Sequence, residues 1–234
     1  MKIAIMQPYL FPYIGYFQLI AAVDVFVLYD DVHYIKKGWI NRNRILLNGA
    51  EHTFTLPCLS VSQNKLIKDI EVDWSSREIG KVVATMETAY RKAPFFEEVI
   101  PLVKEVLMDQ ASTSIADVAA TSIKQVCSYL NIKTTMKNSS TGGYGNAHLH
   151  RGERIVDIVL QEKGDRYLNA IGGLELYRKD HFAEHGIILS FLNPLPEVYP
   201  QPSPQFTPWL SIIDVLMYND KETVSKLLTS YELL

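Results

Sequence analysis

Cysteine is scarce in this sequence. Only Cys58 and Cys127 occur, far apart and in no metal-ligand spacing, which fits buried thiols in a reducing compartment better than a disulfide framework. No run of about 18 apolar residues is present, so no segment is expected to span a bilayer. Excess charge is missing too. Lys and Arg number 23 against 26 Asp and Glu, a formal net charge of -3, which gives nucleic acid no general attraction and makes any anion site a local matter. The opening MKIAIMQPYL carries one lysine before its short apolar run meets Gln7 and Pro8. That does not read as a secretory leader, and cytoplasmic residence is expected. No internal repeat is found.

What is there is ordinary in bulk. The chain has 234 residues, 47% hydrophobic and 21% charged, proportions that allow a sizeable core and suit one domain over residues 1–234. KIAIM (2–6) and VDVFVLYD (23–30) read as buried strands, and YIGYFQLIAA between them has helical apolar spacing. Strand, loop, helix, strand is a βαβ unit with a parallel pair. In NRILLNGAEHTFTLPC (43–58) the Asn48-Gly49 pair separates two strand-like runs and predicts a hairpin. IKDIEVDW (67–74) suggests a further strand. Residues 75–130 turn helical in three segments, after which strand and helix alternate again through KTTM, RGERIVDIVLQEKG, DRYLNAI, LELYRKDHFAEHG and IILSFL. A proline-rich stretch (193–206) reads as an extended connection, and residues 207–234 as helices capped by Thr207 and Asp220. The fold class is therefore α/β: a mostly parallel, Rossmann-like sheet flanked by helices, with an antiparallel hairpin excursion and a helical segment in the middle.

In such sheets ligands bind beyond the carboxyl ends of the strands, and the unusual polar groups fall there. MQPYLFPYIGYF (6–17) follows the first strand and crowds aromatics between two prolines and a glycine. Each ring left in water forfeits roughly 1.5–3 kcal/mol, so either a neighbouring loop or a ligand covers Tyr9, Tyr13 and Tyr16, with Gln7 beside them. After the second strand comes YDDVHYIKKGWINRNR (29–44). Asp30 and Asp31 are candidate proton acceptors, and either could tune His33 as a general base. Lys36, Arg42 and Arg44 suit an anion, Asn41 and Asn43 offer amides, and Trp39 offers a stacking face. The competing reading of this cluster is a loop whose acids and bases pair with one another. Gly172-Gly173 joins a strand to a helix and allows close backbone approach, or simply a tight packing turn. NSSTGGYGNAHLHRGERI (138–155) runs into a helix start suited to phosphate, but lacks the P-loop pattern. His148 and His150 have no spaced partner for a metal. Asp214 stands alone in an apolar helix, where an acid is hydrogen-bonded or functional. No motif fixes the reaction, and none calls for a cofactor or a metal.

The stretches MQPYLFPYIGYFQLI, DVFVLYDDVHYIKKGWINRNRI, YLNAIGGLELY and YPQPSPQFTPWLSIIDVL together resemble the WbqC-like family of bacterial proteins across nearly the whole chain. The resemblance implies a cytoplasmic role in O-antigen and other surface-polysaccharide biosynthesis, with transfer of an acyl or aminoacyl group to an amino sugar or nucleotide-linked sugar. Its small-molecule partners would be that sugar and an acyl donor. Nucleic acid and membrane are not expected, and a homo-oligomer is left open. His33 stands where relatives are expected to carry Gln, which shifts weight to Gln7, Tyr16, Asp30, Asp31, Lys36, Asn41, Arg42 and Asn43. A fainter similarity, to the start of the HIGH-type nucleotidylyltransferases, has Gly15-Tyr16 in place of Gly-His and supports a nucleotidyl or adenylyl transferase as the alternative enzyme. A non-catalytic partner of a polysaccharide assembly complex is the third reading.

Overall fold

The computed structural model describes all 234 residues. Strand β1 (Lys2–Met6) buries Ile3, Ala4 and Ile5 between layers on both of its faces. Helix α1 (Ile14–Ala21) leads to β2 (Val25–Leu28), which is buried throughout. Continuous apolar runs of this kind suit inner strands of a parallel sheet, and the two pair in parallel from Ile3 opposite Val25 to Met6 opposite Leu28. The chain then leaves the sheet. Strands β3 (Arg42–Leu47) and β4 (Ala50–Thr55) form a separate antiparallel pair. Their turn places Asn48 at φ 53° and Gly49 at φ 78°, the doubly positive geometry that Asn-Gly supplies.

Helices α2 (Glu78–Tyr90), α3 (Phe96–Met108) and α4 (Ile115–Tyr129) follow, as the apolar spacing predicts. The main sheet resumes with β5 (Thr135–Asn138), α5 (Arg151–Gln161), β6 (Arg166–Ala170), α6 (Lys179–Ala183) and β7 (Ile188–Pro194). Helices α7 (Ile212–Tyr218) and α8 (Lys221–Leu227) lead to a last strand, β8 (Tyr231–Leu233). The sheet order is β5-β2-β1-β6-β7-β8, parallel except for β8. Successive crossovers therefore run outward from β1 to β5, jump back across β1 to β6, and continue outward. The order reverses between β1 and β6, and this switch point opens a crevice at the carboxyl ends of those strands.

The sheet divides two cores. Forty-six buried residues pack on the face covered by α1, the hairpin, α2 to α4, α7 and α8, and 14 pack beneath α5 and α6. No helix is long and apolar enough to cross a membrane.

Three expectations need correction. Residues 67–74 form no strand: a 3-10 turn at Ile67–Asp69 is followed by two isolated bridges, Cys58 with Val72 and Glu71 with Ser114. Thr207 caps nothing, because Trp209 at φ 61° breaks any helix begun there, and Ser211 caps α7 instead with its hydroxyl on the Ile213 N–H. Asp220 does cap α8, accepting from the Thr223 N–H at 2.7 Å, but the final residues add β8 to the edge of β7 rather than extend that helix.

Candidate functional site at the strand switch point

The crevice between β1 and β6 is open and encloses about 300 Å³. The loop after β1 lines it with Tyr9, Pro12 and Tyr13, the residue after β6 with Ile171, and the end of β7 with Asn193 and Pro194. The opposite wall is Trp39 with Asn43 and Arg44 of β3, and Trp209, just after the proline-rich segment, closes one side.

Local structure explains how these groups meet. Phe11 lies at φ 41°, a left-handed conformation rare for a bulky residue and costing on the order of 1–3 kcal/mol. Its surroundings enforce it. Its N–H donates to Ser122 Oγ at 3.0 Å, and its carbonyl accepts from Asn43 Nδ2 at 2.8 Å and Ser211 Oγ at 2.7 Å. Asn43 Nδ2 also reaches the Leu10 carbonyl at 3.1 Å, and the Leu10 N–H donates to the Trp39 carbonyl at 3.2 Å. The loop after β1 is thereby clamped to the hairpin. Gly15 permits the tight entry to α1, since a Cβ there would lie 2.4 Å from the Tyr13 ring and 2.6 Å from Pro194.

The walls are aromatic and largely uncharged. Trp39 and Trp209 are 36% and 40% exposed, high values for indoles in a folded chain, and Tyr13 meets Trp209 edge-on at 6.0 Å. Burial raises the pKa of Tyr9, and pushes that of Tyr13 up to about 12 with the neighbouring Tyr9 adding to the effect. Both phenols therefore stay protonated at neutral pH and can donate. Arg44 is the one charged residue of the lining, its guanidinium carbon 5.2 Å from the Trp39 ring centre.

Other sequence candidates sit elsewhere. Asp30 is buried, and its oxygens lie within hydrogen-bond distance of Ser139 Oγ, Ser140 N–H, Ser140 Oγ and Asn138 Nδ2 at 2.6–3.3 Å. Asp31 pairs with Arg154 of α5 at 2.5 Å and also meets Ser139 Oγ. Arg154 in turn donates to Asn146 at 3.0 Å and lies over the Tyr29 ring at 4.8 Å. This cluster follows β2 and β5 on the same sheet edge, but none of it lines the cleft. His33 is exposed and joined to neither acid, its backbone bridging Leu66 instead. Lys36 is exposed outside the lining.

Tyr16 is buried, and its hydroxyl donates to the Gln7 carbonyl at 2.8 Å. Its ring packs against Tyr9, Phe17 and Phe26, which makes it part of the core. Gln7 follows β1 with its side-chain oxygen buried and unpartnered, and lies outside the lining. Asn41 is fixed between the Tyr34 hydroxyl at 2.7 Å and the Leu56 carbonyl at 2.9 Å. Arg42 donates to the carbonyls of Gly38 and Lys37, holding the loop that carries Trp39. Gly172 is exposed and borders the lining residue Ile171. Gly173 packs on Asn169, where a Cβ would lie 2.4 Å from its side-chain nitrogen.

The structure thus brings Tyr9, Tyr13, Trp39, Asn43 and Arg44 together. It adds Pro12, Ile171, Asn193, Pro194 and Trp209, to which sequence reasoning assigned no role. Of these only Trp209 carried a signal, an indole held between a proline and a helix start.

A family model described as the WbqC-like protein family matches residues 7–226. The chain belongs to the WbqC-like family. A relative in Mycobacterium tuberculosis (strain ATCC 25618 / H37Rv), the uncharacterized protein Rv1507c, is 27% identical over 220 residues, or 92% of each chain. No solved structure matches at a significant level. The matched span takes in every residue of the cleft.

Proposed function

We propose that this WbqC-like protein is a transferase acting on an amino sugar or nucleotide-linked sugar in surface-polysaccharide biosynthesis, with the sugar held in the cleft between β1 and β6. One observation carries the reading: an aromatic-walled cleft with a single guanidinium, at the position where doubly wound sheets bind ligands. Indole and phenol faces suit the apolar face of a sugar ring, Tyr9 and Tyr13 hydroxyls donate to its oxygens, and Arg44 meets a phosphate. The family resemblance supplies the polysaccharide context.

The cleft lining has no carboxylate or imidazole, and acyl transfer to an amine is compatible with that. An amine of ordinary α-amino basicity, about 7.7–8.0, is partly unprotonated at neutral pH and needs positioning more than a base. Its nitrogen attacks the acyl carbon, the bond to the donor's leaving group breaks, and the amine proton passes to water or to the leaving group. The phenols are the donors available to the carbonyl oxygen as charge develops on it.

Three tryptophans occur in the chain, and two of them line the cleft, so binding is readable as a change in indole emission. Titration with nucleotide-linked amino sugars is expected to shift that emission in the wild type, and the shift should shrink in Trp39→Phe and in Trp209→Phe. Incubation with an acyl donor should then add the acyl mass to the sugar. A full panel that changes neither emission nor mass ends the reading.

A further inference from the structure

We infer that the cleft selects a sugar carrying an anionic oxygen group, phosphate or carboxylate, and that this group displaces Glu51 from Arg44. The inference rests on the cleft's being the sugar site. Arg44 is incompletely satisfied for a guanidinium at a cleft wall. Its Nη1 meets Glu51 Oε2 at 2.7 Å, its Nη2 reaches the Trp209 carbonyl at a long 3.3 Å, and its Nε is buried without a partner.

Glu51 comes from the facing strand β4, one step from the hairpin turn, and its side chain is 45% exposed. An exposed pair of this kind is weak. A carboxylate on a rim is therefore easily displaced by a ligand oxygen that arrives with a ring already stacked on the walls.

Three features make the anion requirement specific to Arg44. No other charged residue lines the cleft. Arg42, which the sequence pairs with it as a second anion ligand, lies outside the lining and is turned onto the carbonyls of Lys37 and Gly38. The guanidinium carbon of Arg44 is also the nearer of the two to Trp39, 5.2 Å from the ring centre against 5.6 Å for Arg42, which holds its charge beside the indole on which a sugar ring would stack. With only one guanidinium and about 300 Å³, the cleft suits one sugar ring with one anionic group. Any nucleotide beyond that group would extend past the rim.

The test compares three probes with the same ring form: glucose, glucose 1-phosphate and glucuronate, each titrated into the full chain by indole emission and by calorimetry. Either anionic sugar, or both, is expected to bind at least tenfold more tightly than glucose, and the two anions tell phosphate from carboxylate selection. Arg44→Gln should erase that preference. Glu51→Gln should tighten the preferred anionic sugar several-fold without tightening glucose, and it touches only a rim residue should Arg44→Gln fail to fold. Loss of anion binding in Glu51→Gln would make Glu51 an orienting partner and overturn the inference, as would an anion preference that survives Arg44→Gln. Binding of all three sugars with equal affinity overturns the inference and leaves the sugar site standing. No binding of any probe or of a nucleotide-linked sugar overturns both.

Discussion

Two loops leave neighbouring strands at the same edge of the sheet and end in opposite conditions. The one after β2 is rich in the residues usually associated with chemistry, and its two acids are spent on groups brought by β5, the loop that follows it and α5. Asp30 is enclosed by serines and an asparagine, and Asp31 is neutralised by Arg154. The one after β1 has only aromatics, prolines, a leucine and a glutamine, yet it walls an open cleft with the phenols of Tyr9 and Tyr13, beside the exposed indoles that Trp39 and Trp209 bring from elsewhere. Residue type says what chemistry is conceivable. Unspent bonding capacity says where a ligand is wanted, and the two criteria point to different loops here.

The largest expected effect breaks the saturated side. Arg154→Met leaves Asp31 partly buried without its counter-charge, and removing one partner of a buried pair costs about 3–5 kcal/mol. Urea unfolding should show a loss of that order, while ligand-induced indole quenching at temperatures where the variant stays folded should be little changed. A loss of quenching equal to the loss of stability would mean that the two loops act as one site. Next comes the clamp between the hairpin and the open side. Asn43→Ala removes two buried hydrogen bonds, leaving the Leu10 carbonyl without its donor and the Phe11 carbonyl with Ser211 alone, at about 1–3 kcal/mol for the unsatisfied group. Here stability and ligand affinity should fall together, because the strained Phe11 loses one of the bonds that hold it. Unchanged affinity in a destabilised Asn43→Ala would show that the cleft does not depend on the clamp.

Much of the sheet was legible because its signals are local. KIAIM, VFVL and the Asn48-Gly49 turn each specify an element through apolar run length or positive φ, whatever surrounds them. The strap that closes the cleft was not legible in this way. Trp209 at φ 61° and Ser211 as the cap of α7 depend on contacts with Phe11 and with Arg44 of β3, which lie 200 and 165 residues away in the chain, and with Tyr13. The site was half legible for the same reason. Trp39 and Arg44 stand out by type, but that Asp30 and Asp31 are spent depends on where Ser139, Ser140 and Arg154 arrive, and that Arg44 is only partly bonded depends on where Glu51 and Trp209 arrive, and no spacing in the sequence encodes that.

Asp214 sharpens the comparison from a third position, since it is as fully bonded as Asp30 but supports the wall of the open cleft. It accepts from Tyr90 at 2.8 Å and Tyr199 at 2.9 Å, and from Gln201 at 3.1 Å, tying the proline-rich strap to α7. Burial nonetheless outweighs these bonds and raises its pKa above the ordinary carboxylate value. A raised folded-state pKa means that the native state holds this proton more firmly than the unfolded chain does. The resulting stabilisation is complete below about pH 3.9, the unfolded value, and is lost as pH rises through the folded pKa. Asp214→Asn keeps an acceptor for one tyrosine and offers an amide donor to the other oxygen, with no proton to lose. In urea unfolding from pH 4.5 to 8 the variant should therefore gain on the wild type as pH rises, by less than either change above costs, and the difference should level off once Asp214 is ionised. Parallel stability curves would show that its three donors fully offset the burial, so that the bonds tying the strap to α7 leave the acid's charge at no cost.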